Sequence, residues 1–326
     1  MLWTSAFAIQ PSGKEGKRAV SAKACVFIHT NPKQMMGALV SQYSLKRNSK
    51  NPDAFDVRII STEDFPFLAR KEGQPFLRNG GSRVWHMDDL QSFTPLRFTP
   101  PELMGYEGRA VVIDPDIFAV GDINELFDRD MQGKAIFCRS RSGKRPSETE
   151  CMATSVMLLD CAKLEHWKVE TQFQQLFDYE MDYADWICLH KEDREMIGIL
   201  ENCWNDLDHL DENTKLLHNT KRQTQPWKTG LPVDFISANR RFRFWKPKSW
   251  LQSLRTRVLG LSPYHGQYRR HPDPKQEAFF FTLLAECFDK GIVTKARLEE
   301  EMASNHIRHD ALEMIARYRP AVSTAS

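Results

Sequence analysis

The chain has 326 residues, of which 41% are apolar and 27% charged, with 16 Gly and 17 Pro. That composition can bury a core and excludes collagen-like and disordered classes, and the length suits one large domain or one domain plus an extension. With 45 Lys and Arg against 43 Asp and Glu the net charge is only +2, which argues against a general nucleic-acid binder, so no nucleic-acid partner is expected.

Ala24 to His29 is a short apolar run of strand formers followed by Thr30-Asn31-Pro32, predicting a buried strand and a turn. Gln34 to Leu45 reads as a helix, with Met35, Leu39 and Tyr43 at four-residue spacing. Phe55 to Ile60 is a second strand. Arg109 to Ile113 is a third, a continuous apolar run of the kind buried on both faces in a parallel sheet. It ends in Asp114-Pro115-Asp116, and Asp122 to Phe127 opens a helix with a capping-box-like spacing of Asp122 and Glu125. Ala135 to Cys138, Thr154 to Leu159 and Lys215 to His218 are further strands. Gln276 to Asp289 is an apolar helix, and Thr294 to Arg317 holds one or two more. Alternating strands and helices over residues 20–235 predict an α/β domain with a mainly parallel sheet flanked by helices; residues 236–326 form a C-terminal basic and helical extension.

In such open sheets ligands bind beyond the carboxyl ends of the strands, where Asp114 and Asp116 stand. Two residues apart in an extended chain, they project to the same side. Paired carboxylates suit a hard divalent cation, Mn²⁺ or Mg²⁺, which also takes substrate phosphates. Asp128-Arg-Asp130 and Asp206-Leu-Asp208 have the same spacing without following a buried strand. The plainer reading of Asp114-Pro115-Asp116 is a turn leaving the strand. His218, ending a short apolar strand, is a candidate third ligand or a histidine that merely hydrogen-bonds. The absence of a nucleophile elbow, a P-loop and G-x-G-x-x-G disfavours hydrolase, NTPase and dinucleotide-binding readings.

The run Arg109-Ala-Val-Val-Ile-Asp-Pro-Asp-Ile-Phe-Ala-Val-Gly-Asp-Ile-Asn-Glu-Leu-Phe-Asp128 resembles the strand, Asp-x-Asp and following helix of glycosyltransferase family 8, the glycogenin and galactosyltransferase group. Other segments agree in order: Thr30-Asn31 with Gly37-Ala-Leu-Val40, Leu96 to Glu102, Ser155 to Leu159, Trp204-Asn205, and Leu217-His218 with Pro226-Trp227. The resemblance covers about residues 24–230. It implies a GT-A fold and a Mn²⁺-dependent retaining hexosyltransferase with a UDP-sugar donor and a glycan or glycolipid acceptor. By position it implies Asp114, Asp116 and His218 as metal ligands, with Asp114 also near the ribose. It places Thr30 and Asn31 in the uridine pocket, Arg97 against the donor, and an acid facing the sugar at Asp185 or Asp182. The chain departs from the pattern at Gln34, at Ala153-Thr154-Ser155 and at Gln225, the last replacing a lysine that contacts the diphosphate. Lys221, Arg222 or Lys228 are candidates to supply that charge. The departures keep two alternatives open: a non-catalytic nucleotide- or carbohydrate-binding protein of the same fold, and a nucleotidyltransferase.

From Phe235 to His271 there are nine Lys and Arg and no Asp or Glu, interleaved with aromatics such as Trp245, Trp250 and Tyr268. This mixture suits an anionic membrane surface or an acidic, lipid-linked acceptor; a solvated face with a few core aromatics is the plainer reading. Seven scattered cysteines, without C-x-x-C, suggest neither a disulfide framework nor a structural metal site, and make a reducing compartment the simpler home. Nothing reaches the roughly 18 consecutive apolar residues of a membrane span. The expectation is a cytoplasmic protein, at most peripheral to a membrane.

Overall fold

The computed structural model describes residues 24–141, 150–234 and 266–319. Most of the basic segment, residues 235–265, therefore lies outside the described residues.

The strands are β1 (Ala24–Thr30), β2 (Phe55–Ser61), β3 (Pro75–Arg78), β4 (Gly81–Val84), β5 (Arg109–Ile113), β6 (Ile117–Ala119), β7 (Ile136–Ser140), β8 (Met152–Asp160), β9 (Ile197–Ile199), β10 (Asp206–Leu207) and β11 (Leu216–His218). Six of them form one sheet in the order β2-β1-β5-β8-β7-β9. β1 pairs parallel with β2 and β5, and β9 with β7, while β8 runs antiparallel between β5 and β7. The predicted α/β class with a mainly parallel sheet flanked by helices is what the chain forms, with β8 as the reversed strand.

The continuous apolar runs are explained by burial on two sides. On one face, Phe27 and Val112 join Trp167, Phe173 and Trp186 in one cluster. On the other, Val26, Ile28, Val111 and Ile113 pack with Ala38 and Leu45 of the first helix, Met35–Arg47. That helix is itself covered, since Met36 and Val40 belong to a third cluster with Phe280, Phe281 and Leu284 of the helix Pro274–Asp289. Two further helices, Lys295–Ala303 and Ala311–Tyr318, complete this layer. No helix among the described residues is long and apolar enough to cross a membrane.

Two expectations are corrected. Asp122 and Glu125 do not close a capping box. The helix is the short Asn124–Phe127 with no side-chain cap, and Glu125 pairs with Lys215 at 2.8 Å. Asp122 is buried and accepts from Ser49 Oγ, Lys50 N and Asn124 N at 3.0–3.1 Å. These bonds satisfy its carboxylate better than one helix terminus would. Second, Cys151 and Cys188 form a disulfide across 37 positions of sequence. Folding brings the start of β8 beside the end of the helix Tyr183–Ile187, which no spacing rule reveals; the remaining five cysteines are free. The reducing-compartment inference, drawn from cysteine count alone, loses its footing.

Candidate functional site

The site is built where β5 ends. Asp114 N still donates to Ser155 O of β8 at 3.1 Å, and the chain then turns, with Ile117 N bonded to Asp114 O at 3.2 Å. Asp114 and Asp116 therefore face one another's neighbourhood across a turn through Pro115, not along an extended strand as their spacing suggested. The turn frees β6 to pair antiparallel with β11, which sets His218 opposite Ile117. Asn219 N then donates to Asp116 O at 3.1 Å. One ligand atom from each of Asp114, Asp116 and His218 lies within 4.8 Å of the others, and His218 Nε2 is 3.3 Å from Asp116 Oδ1.

Asp114 is held by cationic and neutral donors. Arg97 Nη2 lies 2.7 and 2.5 Å from its two oxygens and Nε 3.0 Å from Oδ1, while His29 Nε2 is 2.8 Å from Oδ1. Arg97 is itself anchored by Thr154 Oγ1 at 3.0 Å, and Thr154 donates to Ile187 O at 2.9 Å. Burial pushes the Asp114 carboxyl up, but the Arg97 guanidinium and the His29 hydrogen bond outweigh it and hold Asp114 well below the usual carboxylate range. His29 is fully buried; burial, with the Arg97 charge, lowers its pKa against the pull of Asp114, and its Nε2, 2.8 Å from a carboxylate oxygen that can only accept, is the donor. For His218 burial acts downward, yet the charge and hydrogen bond of Asp116 prevail and raise it.

The donor set fits a divalent cation. Asp114 Oδ2 accepts from a single nitrogen, Arg97 Nη2. Asp116 Oδ2 accepts from Gln225 Nε2 at 3.0 Å, leaving Oδ1 toward His218. Two carboxylate oxygens and one imidazole nitrogen are the chemistry Mn²⁺ takes readily, and Mg²⁺ less so because of the nitrogen.

The other expected residues are placed as follows. Thr30 and Asn31 are buried at the end of β1; Asn31 Nδ2 donates to Asp89 O, Leu90 O and Ser92 Oγ, fastening that loop, and its Oδ1 has no partner among the described residues. Lys221 is exposed. Lys228 is fully buried with Nζ 2.7 Å from Asp234 Oδ2, which removes it from the candidates for a diphosphate contact. Asp182 caps the helix Tyr183–Ile187 through Ala184 N and also accepts from Asn79 N and Gly80 N, at 2.7–3.0 Å. Asp185, in the first turn of that helix, pairs with His190 at 3.0 Å. Neither carboxylate is hydrogen-bonded to the Asp114 group. Sequence reasoning passed over His29; its signal was a polar residue inside an otherwise apolar strand, since buried polar groups need partners.

No family model and no curated protein sequence matches the chain. Among solved structures it is similar to the apo form of the glycosyltransferase GlyE of Streptococcus pneumoniae TIGR4, with 16% identity, TM-score 0.44, and 64% of this chain and 56% of that one covered. It is also similar to the galactosyltransferase LgtC in complex with donor and acceptor sugar analogues (14%, TM-score 0.42, 63% and 89% covered) and to mouse xyloside xylosyltransferase 1 (15%, TM-score 0.39, 62% and 98% covered). The chain thus spans little more than half of the GlyE structure. All three are glycosyltransferases, the kind of protein that the ordered sequence segments resemble. At these TM-scores the likeness carries no weight in assigning a reaction, which rests on the residues of this chain.

Proposed function

We propose that the chain is a metal-dependent retaining glycosyltransferase that moves a hexose from a UDP-sugar to a glycan or glycolipid acceptor. The observation that carries this reading is the convergence of Asp114, Asp116 and His218 beyond the carboxyl end of a buried strand. A bound Mn²⁺ or Mg²⁺ would neutralise charge on the departing diphosphate. Arg97, fixed by Asp114 and Thr154, holds a buried cation at the same rim, suited to the donor. Thr30 and Asn31 are proposed for the uridine end and Lys221 for the diphosphate. Of the two acids expected to face the sugar, Asp185 is the one open to a ligand, its side chain 46% exposed. With no strong nucleophile assigned, the acceptor hydroxyl would attack from the face the leaving group vacates, and the protein's part is positioning and charge stabilisation.

Screening UDP-sugars for Mn²⁺-dependent UDP release tests this; Asp116→Asn is expected to abolish the release. Gln225 favours the second reading, a non-catalytic nucleotide- or carbohydrate-binding protein, because a neutral amide on Asp116 replaces the expected cation. That reading predicts UDP binding without turnover, and a nucleotidyltransferase would instead release pyrophosphate from an NTP. An anionic membrane contact through residues 235–271 belongs to the same proposal. Flotation with anionic but not neutral liposomes is its expected outcome.

A further inference from the structure

We propose that Asn205 and Ser155 are positioning residues for the metal group, acting through His218; this rests on the metal reading above. Asn205 is fully buried. Its Oδ1 lies 2.8 Å from His218 Nδ1, and its Nδ2 donates to Ser155 Oγ at 2.9 Å. An amide oxygen can only accept, so Nδ1 carries a proton, and the lone pair that a cation would take is left to Nε2. Nε2 is the nitrogen 3.3 Å from Asp116 Oδ1, on the side where the three ligand atoms meet.

Arg139 Nη1 donates to the Asn205 backbone carbonyl at 2.6 Å and fixes the main chain there, while Ser155 Oγ receives the NH₂ end of the side chain. Reversed, the amide would put donors against Nδ1, drive the ring proton to Nε2 and close the imidazole to a cation. Ser155 also joins the two halves of the group. Its backbone carbonyl accepts from Asp114 N at 3.1 Å, while its hydroxyl orients Asn205 and, through it, His218. One residue of β8 therefore references both the carboxylate and the imidazole. Ser155 is also among the positions where the sequence departs from the pattern it resembles, so the departure serves the metal group instead of disabling it.

The test uses the full chain and Mn²⁺ alone, with free Mn²⁺ read by electron paramagnetic resonance and folding checked by thermal unfolding. Asn205→Leu is expected to weaken Mn²⁺ binding by about 10- to 100-fold, the usual cost of losing an outer partner of a metal-bound histidine. Ser155→Ala is expected to weaken it in the same direction. Asn205→Asp still accepts from Nδ1–H and is expected to restore binding. If Asn205→Leu fails to fold, Ser155→Ala and Asn205→Asp carry the comparison. Equal affinity in the unaltered chain and Ser155→Ala, or an Asn205→Asp chain that is folded but has lost Mn²⁺ binding, would overturn the inference. No Mn²⁺ binding by the unaltered chain would overturn the metal reading and this inference with it.

Discussion

Asp114 shows how one carboxylate is kept ionised in a buried place. Its three contacts with Arg97 and one with His29 compensate for desolvation. Removing one partner of a buried ion pair leaves the other uncompensated, which costs about 3–5 kcal/mol. Arg97→Met is expected to destabilise the chain by that order in urea unfolding, with part of the loss recovered when Mn²⁺ is added to neutralise Asp114. Asp122 offers a pH test away from the metal group. Burial raises its carboxyl, but backbone hydrogen bonds from Asn124 and Lys50 and side-chain bonds from Ser49 and Asn124 lower it overall. A folded-state pKa below the unfolded value of about 3.9 contributes stability that is present above that value. The contribution is lost as pH falls through the lower, folded value. Asp122→Asn is expected to flatten the acid limb of the stability profile, and a limb as steep as that of the unaltered chain would count against it. At this scale the sequence was legible in identity but not in role. Asp114, Asp116 and His218 could be named from strand ends, whereas the donors around them come from Arg97, His29 and Gln225, far apart in the chain.

The elements were read within a few residues where a single periodicity governed them, as for β1, β5 and the helix Pro274–Asp289. Of the three-stranded sheet β10-β11-β6, the strand read at Lys215 to His218 is β11, while β10 and β6 escape the sequence. These two are two and three residues long, too short for any period to register, and their pairing with β11 sets the place of His218. Helix and turn meet at Gly37, where a Cβ would lie 2.5 Å from Pro115 O. Alanine is favoured over glycine in a helix interior by about 1 kcal/mol, so propensity alone predicts that Gly37→Ala stabilises the chain. The contact predicts the opposite: the helix Met35–Arg47 and the Asp114-Pro115-Asp116 turn must separate. Lower thermal stability together with weaker Mn²⁺ binding is the expected result. Stabilisation with unaltered binding would refute it.

Across the whole molecule, the C-terminal helices are part of the packing under the site. Phe280 stacks on Trp227 at 4.8 Å between ring centroids and meets Phe118 edge-on at 5.4 Å. Arg308 N donates to Trp227 O at 2.7 Å, and Gln276 joins Asn219 Nδ2 to Asp208 O. The loop after His218 is thus fastened from the C-terminal side. Phe280→Ala is expected to cost about 3–5 kcal/mol through the cavity it leaves, with Trp227 fluorescence reporting the loosened contact. The basic segment leads into this layer, and the one aromatic of it that is described, Tyr268, is buried with its hydroxyl 2.5 Å from Asp234 Oδ1.

By itself the sequence determined the α/β class, the strand ends that carry the carboxylates and the helical C-terminus, because each is written in local periodicity and burial of contiguous residues. Only the tertiary structure decided which side chains share the site, that Lys228 turns inward, that Cys151 meets Cys188, and that Ser155 and Asn205 stand behind His218. Those facts depend on distances between segments tens of residues apart. They are set by sheet order and by the demand that each buried polar group find a partner.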